Sequence, residues 1–221
     1  MSMIEFDRPD GKKCAGYLAL PAKGEKAPGV VVIQEWWGLN DHVKSICDRL
    51  AKAGYRALAP DLYRGKVAKE QGEAAKLMSL TNFAEAADQD VRGALRYLKQ
   101  KGGKGAVLGF CMGGAITVAA SVRVEECDAA VPFYGIPPAS VADAAKTHAP
   151  VQAHFANTDG WCTPQLVDTY EKALQKSGVT FEVHRYDVQH AFFNDTRPVY
   201  DKPSAEKAWE RTLAFLKKYI G

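Results

Sequence analysis

Pro28-Gly-Val-Val-Val-Ile33, running on through Gln34 into Glu35-Trp-Trp-Gly38, is the stretch on which the reading of the fold turns. A continuous β-branched run of this kind belongs to a strand covered on both faces, and such strands lie at the centre of parallel sheets. Glu35, Trp36 and Trp37 then fall at its carboxyl end. Asn40 or Asp41 caps a helix with Val43, Ile46, Cys47 and Leu50 on one face, Gly54 closes it, and a second strand, Tyr55-Arg-Ala-Leu-Ala59, stops at Pro60.

Further along, residues 64–80 are less periodic and read as a loop with a short helix. A firmer helix begins at Asn82, with Glu85 in the capping-box position, and ends at Gly102-Gly103. Strands follow at 106–109, 129–134, 151–156 and 180–186. They alternate with helices over about 112–122, 164–176 and 204–219, plus a weak helix after Pro137-Pro138. Segments around Ile4 and Tyr17 supply edge strands. Regular alternation predicts an α/β fold in a single domain, 1–221: a mostly parallel central sheet with helices on both faces and ligands at the strands' carboxyl ends.

Composition narrows the function. The chain has 221 residues, 47% apolar and 25% charged, which is ordinary for a globular protein and too apolar for a disordered one. Its 29 basic residues are interspersed with 26 acidic ones for a net charge of +3, so no basic stripe points to nucleic acid. Five cysteines without a CxxC pair or a zinc-like spacing predict reduced thiols, a cytoplasmic location and no metal. An N-terminus opening on Glu5 and Asp7, and no run of about 18 apolar residues, argue against export and membrane spans.

Gly109-Phe-Cys111-Met-Gly113 stands where a strand ends and a helix begins. In that context a small-x-nucleophile-x-small pattern forms a strained turn that lifts its central side chain above the sheet. The turn sets the Cys111 thiol at a helix N-terminus, where the Met112 N–H can face a developing oxyanion. Cys111 could instead be a small core residue at a tight junction. Against this, a carboxylate and a histidine follow in the order nucleophile, acid, histidine, each just after a strand: Asp159 and His190. His154 and His184 lie inside strands and His42 at a helix start, whereas His190 falls on a loop at the catalytic edge. His148 is the remaining rival, and Asp187 and Asp195 flank His190.

These motifs, with Val31-Val-Ile-Gln-Glu35-Trp-Trp-Gly38 and His190-Ala-Phe-Phe-Asn-Asp-Thr-Arg-Pro198, resemble those of the dienelactone hydrolase (carboxymethylenebutenolidase-like) family of α/β-hydrolases, from about Gly29 to the C-terminal helix. The resemblance implies a Cys111–His190–Asp159 triad without cofactor or metal, acting on a small ester or lactone. It also implies a glutamate beside the thiol, Glu35, and a second oxyanion donor in the Trp36 N–H. By their place at the strand mouth, Trp36 and Trp37 read either as core or edge packing or as an aromatic wall for a flat substrate. The family holds a substrate carboxylate with arginines, one upstream of the elbow and one after the histidine. Upstream this chain reads Glu70-Gln-Gly-Glu73, with no matching arginine. Arg197 lies somewhat beyond the expected second position, as an anion clamp or as a partner of Asp195 or Asp201.

Two other readings compete: a thioesterase or acyltransferase on the same triad, separated by product analysis, and a non-catalytic ligand-binding or thiol-sensing module. The latter would show a stable sulfenate or disulfide on Cys111 and no ester turnover.

Overall fold

The β-branched run forms strand β3 (Gly29–Ile33), all five residues buried, in a computed structural model that describes residues 1–22, 24 and 26–221. Eight strands make one sheet in the order β1-β2-β4-β3-β5-β6-β7-β8. The edge strands expected around Ile4 and Tyr17 are β1 (Ser2–Asp7) and β2 (Lys13–Ala19); they pair antiparallel with each other, and β2 pairs antiparallel with β4 (Arg56–Pro60). From β4 onward every pairing is parallel, through β5 (Gly105–Phe110), β6 (Ala129–Phe133), β7 (Val151–Thr158) and β8 (Phe181–Gln189).

Alternation along each strand feeds two cores. Val31, Ile33 and Val107 face one face of the sheet, with Val91, Leu95 and Leu98, Ile116 of α5 (Met112–Arg123), and Val167 and Leu174 of α6 (Pro164–Ser177). Val30, Val32 and Leu108 face the other, with Ile46 and Leu50 of α1 (Asp41–Lys52) and Phe215 and Leu216 of α7 (Lys202–Tyr219). Asn40 is the N-cap of α1, its side chain accepting from Val43 N, and Gly178 ends α6 with φ +75°.

Three expectations change. The helix starting after Asn82 is not uniform: α3 (Phe83–Glu85) passes through a π-helical segment (Ala86–Val91) into α4 (Arg92–Lys99). Buried Asp90, within the π segment, bonds Arg64 and pairs with Arg8 of the N-terminal hairpin. The weak helix after Pro137-Pro138 is a single 3-10 turn, Ala144–Lys146. The strand read as 180–186 runs to Gln189, so His190 follows it directly. In the 64–80 region the short helix is α2 (Gln71–Ser79), of which Ala74 is the one buried residue. No helix among the described residues is long and apolar enough to cross a membrane.

Candidate active site

From β3 the chain passes to β4 on one side and then returns to β5 on the other. That reversal opens a crevice at the carboxyl ends of β3 and β5, where open α/β sheets bind ligands. A cavity of about 510 Å³ lies there, lined by Glu35, Trp36 and Trp37 after β3, by Cys111 after β5, by Trp161 after β7, and by His190 and Arg197 after β8.

Cys111 is the N-cap of α5, with φ +56° and ψ −118°. Its N–H donates to Phe133 O at 3.0 Å and its carbonyl accepts from Ala115 N, which ties the turn to β6 and to the helix. A side chain on Gly109 would collide with the Gly113 carbonyl, and one on Gly113 with Ile33 O and Gln34 O. The small-residue requirement inferred from sequence is therefore steric, with strand, turn and helix touching backbone to backbone. Tyr134 (φ +36°) and Ala191 (φ +64°) are also in the left-handed region. Three of the four non-glycine residues with positive φ among those described thus lie in or against this one crevice, the clustering expected where geometry is held for function.

His190 Nδ1 lies 2.6 Å from Asp159 Oδ2. Asp159 Oδ1 accepts from the N–H groups of Trp161 (2.7 Å) and Cys162 (2.9 Å). Burial opposes charge on Asp159, but the His190 contact and these two donors outweigh it and hold the carboxyl below its usual range. The carboxylate is thus fixed, and it orients the imidazole. Trp161 and Tyr134 pack edge-on against the His190 ring at 5.5 and 4.9 Å between centroids.

Burial, and after it the Glu35 carboxylate, pushes the Cys111 thiol well above its ordinary range; the Met112 and Trp36 N–H groups pull the other way and are outweighed. Both expected oxyanion donors are therefore beside the sulfur. Glu35 is 3% exposed, and its two oxygens are both engaged: Oε1 accepts from the Tyr134 hydroxyl at 3.1 Å and Oε2 from Asn194 Nδ2 at 2.6 Å. Sequence reading missed Tyr134 and Asn194. Each is wholly buried, and a polar side chain at the end of a strand or beside the candidate histidine was the available signal.

Arg197 does not pair with Asp195 or Asp201. Asp195 Oδ1 contacts His42 Nδ1 at 2.9 Å, and Asp201 caps α7 through Ser204 N. The Arg197 guanidinium instead lies 3.6 Å from the Trp37 ring centroid, with its buried Nε unpartnered. Gln71 and Met78 of α2 line the cavity on the side where no upstream arginine was found. Among the described residues no group of three or more His, Cys, Asp or Glu side chains is placed to hold a metal ion.

Strand order, the crevice at the switch point and a strained strand-to-helix turn define an α/β-hydrolase, and solved hydrolases share this architecture. The chain belongs to the dienelactone hydrolase family, whose profile matches residues 14–220, and it is a hydrolase of esters or lactones. Protein usf of Aquifex pyrophilus is 38% identical to it over 99% of this chain and 98% of that one. A protein of Aquifex aeolicus named "Putative carboxymethylenebutenolidase" is 34% identical over the same shares. The crystal structure of a Klebsiella pneumoniae protein named "Putative Dienelactone Hydrolase" matches with a TM-score of 0.86 at 29% identity, covering 99% of this chain and all of that one.

Proposed function

We propose that the protein hydrolyses small esters or lactones through a Cys111–His190–Asp159 triad and a thioester intermediate. The observation that carries this is the 2.6 Å contact between His190 and buried Asp159, on the same cavity that Cys111 lines. In the resting enzyme the thiol is neutral, the form that burial and the Glu35 charge favour. When substrate docks, Glu35 accepts the thiol proton and Sγ attacks the carbonyl carbon. The carbonyl oxygen takes up the displaced electron pair and is held by the Met112 and Trp36 N–H groups. Collapse breaks the bond to the alcohol oxygen, which takes up the proton held by Glu35, and leaves the acyl group on sulfur. His190, oriented by Asp159, then takes a proton from water, whose oxygen attacks the thioester; the acyl–sulfur bond breaks, the acid is released, and the departing sulfur recovers the proton from His190.

Esters with enol-like leaving groups suit this route better than amides, because an amine must be protonated before it can leave. Three tryptophans on the cavity favour a flat substrate, and Arg197, without a carboxylate partner, offers a clamp for one negative charge. Cys111→Ala abolishes turnover of a panel of small lactones and an aryl ester while circular dichroism and the unfolding midpoint stay as in the parent. Full residual activity in that variant would remove the proposal.

A further inference from the structure

Helix α2 packs on a small apolar cluster, and its Leu77 and Met78 also lie against the main core. Its one buried residue, Ala74, packs with Trp37 and Ala68, and Trp36 and Leu77 lie against them. Gln71, Ala74 and Met78 are three and four residues apart and so share one face of the helix. That face rests on the tryptophan pair, and its two ends, Gln71 and Met78, form part of the cavity wall.

The polar groups on the cavity fall into two sets. Glu35 is held by Tyr134 and Asn194, and His190 by Asp159. Arg197, stacked on Trp37, and Gln71 make no side-chain hydrogen bond to any described residue. These two are free to meet a ligand, and their chemistry differs. A guanidinium balances a charge; a carboxamide supplies one donor pair and one acceptor and balances none. Glu70 and Glu73, both exposed, are matched by Lys69 and Lys76, so this stretch carries no net charge to hold an anion at Gln71.

We infer that Gln71 is a specificity-determining residue, selecting esters and lactones whose non-reacting end carries a neutral hydrogen-bonding group, a hydroxyl, carbonyl or amide, over those bearing a carboxylate there. A carboxylate beside this neutral amide has no counter-charge next to it, whereas a neutral polar group finds both a donor and an acceptor. Arg197 remains as the place for a single negative charge elsewhere on the substrate. The inference rests on the hydrolase mechanism proposed above.

The test is steady-state kinetics on two matched ester series, one varied in the acyl chain of para-nitrophenyl esters and one in the alcohol of butanoates. Each series ends in a methyl, a carboxamide or a carboxylate. The wild type prefers carboxamide to carboxylate in at least one series. Gln71→Leu lowers kcat/KM for that carboxamide about tenfold relative to the methyl ester, through KM more than kcat, as expected for one lost hydrogen bond. Gln71→Lys reverses the order of carboxamide and carboxylate. Gln71 is exposed, so both variants fold. An equal loss on all three termini in both series, or an order that Gln71→Lys leaves unchanged, overturns the inference while the hydrolase stands. Equal turnover by Cys111→Ala and wild type overturns the mechanism and the inference with it.

Discussion

A thiol buried beside a carboxylate is a reluctant nucleophile at neutral pH, and Cys111 is in that position. Helix N-terminus and backbone donors, the features visible in the sequence, would by themselves lower its pKa. The opposing influences are burial and, after it, Glu35, which stands 76 positions earlier in the chain and reaches the site because β3 and β5 are neighbours. Alkylation of Cys111 by iodoacetamide therefore rises with pH only above the ordinary thiol range. In Glu35→Gln the curve shifts to lower pH, since the second-largest influence raising the thiol pKa is gone. A curve that stays put would mean burial alone controls the thiol. Cys111, Asp159 and His190 were legible as candidates because each follows a strand in a recognisable order. Tyr134 and Asn194 were not. Their contact with Glu35 spans 99 and 159 residues, and no local pattern encodes which carboxylate a buried hydroxyl or amide will meet.

Elements were readable where hydrophobic period and caps agreed, as in β3 and α1. They were misread where a tertiary contact decided: the π-helical turn carries buried Asp90 to Arg64 and Arg8, a partnership invisible to periodicity. At the β7–β8 edge, His154 has no exposure and stacks on Phe133 at 4.3 Å, with Nδ1 2.8 Å from the Tyr186 hydroxyl and Nε2 3.1 Å from Gln152 Oε1. Burial, then the charges of His184 and Arg211, pushes its pKa well below 6.5. Burial and Arg211 also lower His184, against the pull of Glu182. The sign follows from linkage. Above 6.5 both states are neutral and nothing is lost; below it the unfolded chain binds protons that the folded one refuses, so stability falls with falling pH. Each such proton costs at most about 1.4 kcal/mol per pH unit. Urea unfolding at pH 7.5 and 5.5 should show a drop in midpoint that is smaller in His154→Phe. A pH-independent midpoint would refute the account. Asp159 acts in a separate, more acidic window, because its lowered pKa contributes stability that is lost only below about 3.8.

Across the whole molecule, loops after β3, β4, β5, β7 and β8 meet at one crevice, so occupancy of the cavity ties together parts of the chain far apart in sequence. A ligand that binds the folded state alone then stabilises the entire fold. Benzoate, flat and singly charged, at a hundred times its Kd should add about 2.7 kcal/mol to unfolding. Arg197→Gln should abolish that gain, because the guanidinium on Trp37 is the cation on the cavity wall. Equal protection of both proteins would place the carboxylate elsewhere. The overall architecture was legible from the alternation of strands and helices. Where Arg197 points was not, since Asp195 and Asp201, its nearest acidic neighbours in the chain, are claimed by His42 and by the start of α7.

The segment from His190 to Arg197 contacts four distant places in turn: His190 meets Asp159, Asn194 meets Glu35, Asp195 meets His42, and Arg197 meets Trp37. As a nascent chain leaves the ribosome from its N-terminus, Glu35, the elbow and Asp159 all emerge before this segment does. The thiol is consequently made early and completed late. Until the stretch from His190 to Arg197 has emerged and folded back, the growing protein carries Cys111 and Glu35 without His190, and the proposed resolution of a thioester arrives only with the closing of the fold.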